Sequence, residues 1–159
     1  MNGFASMSWW RDDVEVSTDP GKLDIDVVHN FLTNSYWARG VPLETVRRSI
    51  QHSLCFGVYK SSRQVGFARV ITDFATFAYL ADVFVLEAYR SLGISKWLME
   101  CIAGHPELQG LRRWALVTRD AHGLYRKFGF EEIHSPQRWM ERHDANVYVR
   151  RVDNDVQKT

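Results

Sequence analysis

The chain is short of cysteine, proline, charge excess and long apolar runs, and each shortage excludes something. Two cysteines, Cys55 and Cys101, are too few for a disulfide framework, and both sit inside apolar patterns as small buried residues do. Four prolines in 159 residues leave no Pro-rich linker, and there is no low-complexity stretch or internal repeat. Twenty basic residues stand against 19 acidic ones, a formal net charge of +1, so nothing calls for a polyanionic partner. Arg47-Arg48, Arg112-Arg113 and Arg150-Arg151 are isolated pairs, unlike the basic stripe of a nucleic-acid footprint. No run approaches a membrane span, and Met1 to Ser6 lacks the basic start and apolar core of a signal peptide. The expectation is a cytoplasmic protein that engages neither nucleic acid nor membrane. Histidines at 29, 52, 105, 122, 134 and 143 match no HExxH or Cys/His zinc spacing, so no metal is expected. There is no G-x-S-x-G, no Walker A sequence, and no setting that would activate either cysteine as a nucleophile.

What is present is ordinary apolar content, 45%, in a chain long enough to bury a core without staples. The pattern predicts a first strand within 8–17, a turn at Ser17 to Gly21, and a helix over 25–34 capped by Asp24. After Gly40-Val41-Pro42 a second helix runs to about 52, with Leu43, Val46 and Ile50 on its apolar face. Strands follow at 54–59, 64–71 and 76–85, the first two joined by the polar turn Lys60 to Arg63. The third is nearly continuous apolar sequence, as a central strand covered on both faces should be. A helix over 91–103, a strand over 111–118 parallel to 76–85, and a short helix through Tyr125 to Lys127, closed by Gly129, complete the core. A return strand is expected from Phe130. Two further strand-like runs, Gln137 to Met140 and Val147 to Val149, offer edges that could pair between two subunits as a homodimer. This is an α/β (α+β) fold: one domain over 1–159, core about 9–142, with a mixed, mostly antiparallel central sheet flanked by helices.

The most informative stretch is Val83 to Leu98, a strand, a tight basic turn with one glycine, and an amphipathic helix. The first N–H groups of a helix have no intrahelical partner, and the helix dipole adds partial positive charge there, so an anion docks at such a turn.

Arg90-Ser91-Leu92-Gly93-Ile94-Ser95 resembles the coenzyme A signature Arg/Gln-x-x-Gly-x-Gly/Ala of the GCN5-related N-acetyltransferase (GNAT) superfamily. Ala121-His122-Gly123-Leu124-Tyr125-Arg126-Lys127-Phe128-Gly129-Phe130 is similar to that family's Ala-x-x-Leu-Tyr-x-Lys-x-Gly-Phe segment. The two motifs are separated by one strand, and the resemblance covers about 9–142. The chain departs from the pattern at Ser95, where glycine or alanine is usual, at Thr118, where asparagine often stands, and at Leu86-Glu87-Ala88, which lacks the common proline.

The resemblance implies acetyl-coenzyme A as acyl donor and direct attack of an amine on its thioester in a ternary complex. It implies that the strand at Val83, Phe84 and Val85 docks the pantetheine arm. The turn of Arg90, Ser91, Leu92, Gly93, Ile94, Ser95 and Lys96 would hold the pyrophosphate, with Thr118 and Tyr125 nearby. Tyr125 is the expected acid for the departing thiolate. For the proton of the attacking ammonium the candidates are Tyr79, Asp82, Asp73 and His52. Tyr79 shares the strand parity of Val83 and Val85, whereas Asp82 has the opposite parity and reads equally as a structural partner. Tyr36, Trp37, Asp73, Phe74 and Phe77 would contact the acceptor, an amine with an apolar part. A small-molecule amine is the expected acceptor. The rivals are a protein lysine or N-terminus as acceptor, and a non-catalytic acyl-coenzyme A-binding module.

Overall fold

The structure, a computed structural model, describes residues 5–149. It opens on a hairpin, β1 (Ser8–Arg11) and β2 (Val14–Ser17), with Arg11 opposite Val14. The single strand expected within 8–17 is thus two, divided at Asp12-Asp13. Asp12 takes φ 53, the left-handed region that aspartate tolerates because its short side chain bonds locally. A two-residue turn forms there with no glycine to announce it. Ser61 and Ser62, both left-handed at φ 49 and 62, turn the chain between β3 (Leu54–Lys60) and β4 (Arg63–Thr72), again without glycine.

Helices α1 (Ile25–Thr33) and α2 (Leu43–Gln51) lie between β2 and β3. The Asp24 carboxylate accepts from the N–H groups of Asp26 and Val27, both at 3.1 Å, which fixes the start of α1. Pro42 stands just before α2, where a missing N–H costs nothing. The two helices bring Val28, Leu32, Val46 and Ile50 against Cys55, Phe67 and Phe84 on one face of the sheet.

The other face is covered by α3 (Ile94–Ala103), which connects β5 (Phe77–Val85) to β6 (Arg113–Ala115). It buries Ile94, Leu98, Met99, Cys101 and Ile102 against Val16, Phe56 and Val58. Each such side chain withdrawn from water contributes about 1.5–3 kcal/mol before entropy is counted. The sheet order is β1-β2-β3-β4-β5-β6, antiparallel throughout except for β6, which runs parallel to β5 as expected. After β6 comes α4 (His122–Arg126), closed by Gly129 at φ 83.

Four expectations fail on the C-terminal side. β6 covers only Arg113–Ala115 of the 111–118 run. No return strand begins at Phe130; instead its ring packs edge-on to Trp114 and Tyr125, at 6.3 and 5.9 Å, and the chain runs irregularly to 135. Gln137 to Met140 is not a strand, because Pro136 starts a 3-10 turn through Arg138. Val147 to Val149 is one turn of helix, entered from Asp144, whose carboxylate accepts from the Asn146 N–H at 3.0 Å. The tail therefore gives no strand for pairing two subunits among the described residues. An open trough of about 990 Å³ lies along the outer edge of β6, against 130–140.

Candidate active site

The site is organised by a bulge in β5. Phe84 lies opposite Phe67, but Ala81 lies opposite Arg69, so two steps on β4 answer three on β5. Asp82 sits in the extra step at φ 55. The bulge reverses the parity read from the sequence. Ala78, Leu80, Val83 and Val85 all join the α3-side core, and Phe84 joins the α1–α2 side. Tyr79 is consequently on the face of Asp82 and Phe84, not on that of Val83 and Val85.

Asp82 is held tightly there. Arg69 Nε donates to one carboxylate oxygen at 2.8 Å, and Trp37 Nε1 donates to the other at 3.0 Å. Arg69 also donates to the Ser53 hydroxyl at 3.1 Å. The ion pair is largely buried, with side chains 15% and 11% exposed. It ties the aromatic connector between α1 and α2 to the bulge. Burial first, then the Asp82 charge, raises the Tyr79 phenol above its ordinary value, while Arg69 opposes the shift. Tyr79 stays protonated at neutral pH and is no base by itself.

The bulge also opens the sheet. β5 and β6 pair at Phe77, Ala78 and Tyr79, and the contact ends at Tyr79 and Ala115. Beyond that point one edge of β5 is uncovered. The Leu86 N–H donates to Val65 on β4 at 2.8 Å. By strand alternation Val85 and Val83 direct their polar groups the other way, into the gap. The Val85 carbonyl is taken there by Arg90 Nε at 2.9 Å. Phe84 does not join them: its backbone faces β4, and its ring stacks on Phe31 at 3.9 Å in the core.

At the end of the gap stands the turn Arg90 to Ser95. Ser91 at φ 64 and Gly93 at φ 75 curl the backbone back upon the start of α3. The first helical bond runs from the Trp97 N–H to the Gly93 carbonyl at 3.1 Å, so the N–H groups of Ile94, Ser95 and Lys96 precede the ladder. Leu92 and Lys96 are exposed on the outer side of the turn, and Lys96 Nζ lies 3.9 Å from Glu100.

Tyr125 reaches the same region from α4. It is buried, and burial, helped by the nearby Tyr36 phenol and Asp120, pushes its phenol up to about 12. Tyr36 is held by the guanidinium of Arg119, 4.0 Å above its ring, and meets Trp37 edge-on at 5.0 Å. Connector and post-β6 loop thus touch across the mouth of the gap. The Thr118 hydroxyl accepts from the Ala121 N–H at 3.0 Å and leads the chain into α4.

The remaining expected residues divide. Phe77, 37% exposed, begins β5 beside Arg113. Phe74 packs against the α3-side core, away from Trp37. Asp73 is consumed by its own loop, accepting from the N–H groups of Ala75, Thr76 and Phe77 and from the Thr76 hydroxyl. Those bonds, led by that to Thr76, hold its carboxyl far below the usual range. His52 is exposed at the end of α2. Sequence reasoning missed Arg69 and Arg119, because each acts only through a partner brought from a distant segment. Paired carboxylate and guanidinium types carried no spacing that could reveal them.

An α/β sheet splayed beside a helix N-terminus, with a tyrosine buried in the same core, defines a class of acyltransferase folds, and the comparisons place the chain within it. The family described as "Acetyltransferase (GNAT) domain" matches residues 51–132. A Gibberella zeae protein named "Putative acetyltransferase" is 32% identical over 143 residues, 76% of this chain and 80% of its own. A structure from Xanthomonas campestris pv. campestris, of a "putative acetyltransferase belonging to the gnat family", is 54% identical with a TM-score of 0.83. The match covers 85% of this chain and 96% of that one. A Clostridium acetobutylicum "predicted acetyltransferase with acetyl-CoA" shares the fold at 14% identity and a TM-score of 0.57, over 76% of this chain and 90% of that one. The chain belongs to the GNAT acetyltransferase family.

Proposed function

We propose that the protein transfers the acetyl group of acetyl-coenzyme A to a primary amine on a small molecule, by direct attack in a ternary complex. The observation that carries this reading is the meeting of three elements in one core: the uncovered edge of β5 at Val83 and Val85, the first residue of α3, Ile94, and Tyr125. The pyrophosphate would sit on the N–H groups of Ile94, Ser95 and Lys96, and the pantetheine arm along β5 as an added strand. The acetyl-coenzyme A-containing Clostridium acetobutylicum relative, alike in fold, supports the cofactor. Two free, buried cysteines suit a reducing compartment, and we place the enzyme in the cytoplasm.

An alkyl ammonium has a pKa of about 10.4, so it must first shed a proton. Tyr79 would hold the water that receives it. The neutral nitrogen then attacks the thioester carbon; the C–N bond forms, the C–S bond breaks, and coenzyme A departs as thiolate. With a phenol at about 12, Tyr125 is fully protonated but a weak acid. Against a thiol of about 8.5 complete transfer is uphill, so Tyr125 stabilises the sulfur chiefly by donating a hydrogen bond. The nitrogen's second proton ends on the thiol. Asp82, neutralised by Arg69, holds the bulge and Trp37 in place and takes no proton.

The test is release of free thiol from acetyl-coenzyme A over a panel of small amines, amino acids, aminoglycosides and peptides. Turnover with small amines supports the reading. Turnover with peptides alone would assign a protein acceptor. Tight coenzyme A binding with no thiol release from any amine would assign a binding module.

A further inference from the structure

The acceptor face lacks an obvious partner for a cation. Asp82 is paired with Arg69, and Asp73 is saturated by its own loop. The C-terminal tail supplies another carboxylate. Its path is fixed at two points on that face. Trp139 packs over the Arg113 guanidinium at 5.1 Å. Tyr148 packs against the α1–α2 core. Arg113 and Ala115 are in parallel register with Phe77 and Tyr79, so their side chains share the face on which Tyr79 stands. The tail from Trp139 to Tyr148 thus joins Arg113 to the α1–α2 side of the sheet, the face on which Tyr79 stands. Glu141 is the second residue along that path. It is exposed, and among the described residues it makes no ion pair. Its charge is one of those that raise the Tyr79 phenol.

We propose that Glu141, carried across the acceptor face by the tail between Trp139 and Tyr148, is the anchor for the acceptor's ammonium group, with Trp37 and Phe77 flanking the apolar remainder. The inference rests on the acetyl-transfer reading for its place in catalysis, but the binding subsite stands apart from it. The ligand class is a primary alkylammonium bearing an apolar or aromatic group. Trp37 and Phe77 are 42% and 37% exposed, large apolar surface of the kind such a group would cover. The anchor is an exposed carboxylate, so its attraction is screened by salt, and it selects among acceptors more than it binds them.

Phenethylammonium and benzyl alcohol, a charged and a neutral aromatic probe, are titrated into the protein with coenzyme A present, followed by tryptophan fluorescence. Glu141→Gln is expected to weaken phenethylammonium about fivefold, to leave benzyl alcohol unchanged, and to lose the difference at high salt. Tyr148→Ala, which frees the tail, should give the same pattern, and the double variant should add nothing. Titration of Tyr79 by NMR should show its phenol moving down in Glu141→Gln, a readout independent of any acceptor. No binding of phenethylammonium to the wild type, equal binding by both proteins, an equal loss with both probes, or an unmoved Tyr79 overturns the proposal. Coenzyme A affinity and thiol release are measured alongside. Their absence would count against acetyl transfer while leaving the ammonium result to stand.

Discussion

The gap at β5 and the face above it are built by different means. The proposed cofactor side, from Val83 to Phe130, uses backbone: an uncovered strand edge, a helix N-terminus and two left-handed residues at 91 and 93. It lies inside the segment matched by the family, 51–132. The proposed acceptor side uses side chains from α1–α2, β4, β5 and the tail, and its connector at 35–41 and tail at 139–149 lie outside that match. Backbone sites need few residue types at fixed spacing, so they persist as short motifs. Side-chain sites can be rebuilt at every position while the sheet stays the same. One half therefore speaks for the family and the other for the individual enzyme.

Tyr125 is where the halves meet, and its loss should have the largest effect. Tyr125→Phe is expected to lower kcat about 300-fold, as loss of one preorganised donor does, with the KM for acetyl-coenzyme A unchanged. An unaltered kcat would remove Tyr125 from the chemistry. Because its phenol is pushed up to about 12, wild-type turnover should show no alkaline fall up to about pH 10; a fall with an apparent pKa near 10 would mean an ordinary, solvated tyrosine.

Asp82→Asn should act on the acceptor half alone. It strips the charge facing a largely buried Arg69 while keeping the shape, costing about 3 kcal/mol of stability by urea unfolding. The acceptor KM should rise while coenzyme A affinity holds. A coenzyme A defect of similar size would dissolve the division between the halves.

Gly93→Val does the converse. A β-branched residue at φ 75 costs about 1–2 kcal/mol, so calorimetric affinity for coenzyme A should fall about tenfold with acceptor binding intact. Equal affinity would show that the turn does not approach the phosphates.

The smallest effect lies away from the gap and from the face above it. His105 is 2% exposed between Trp9 and Phe56, and burial lowers its pKa below the usual 6.5. The unfolded chain binds this proton more readily, so the stabilisation is complete above about pH 6.5 and declines as pH falls toward the folded value. His105→Gln should flatten that part of the urea midpoint against pH; an unchanged slope would place its origin elsewhere.

The same contrast explains what could be read in advance. Helical periodicity, the Asp24 cap, the Gly129 stop and both motifs are local, and the elements they predict are present. The bulge was hidden because an extra residue in β5 leaves the apolar run unbroken, and it alone brought Tyr79 onto the face of Asp82. The Asp12 turn was hidden because aspartate can stand where glycine was sought. The tail misled because Val147-Tyr148-Val149 has strand composition, while Asp144 bonds locally and starts a helical turn. Asp73 offered a charge in the right loop, but a carboxylate followed by three free N–H groups folds onto them first.

The short β6 has a consequence for how the protein opens. Three residue pairs join it to β5, and its outer edge borders the trough, so it is the strand with the least to lose by leaving. Local unfolding should start at this seam, and amide exchange at Arg113 to Ala115 should outpace that of the inner strands β2 to β5. A coenzyme lying in the gap bridges the two strands that would part. Its binding energy then becomes cohesion of the sheet: well above saturation, each further tenfold of free coenzyme A adds about 1.4 kcal/mol against opening. The enzyme would be a tighter sheet when its donor is plentiful than when it is scarce.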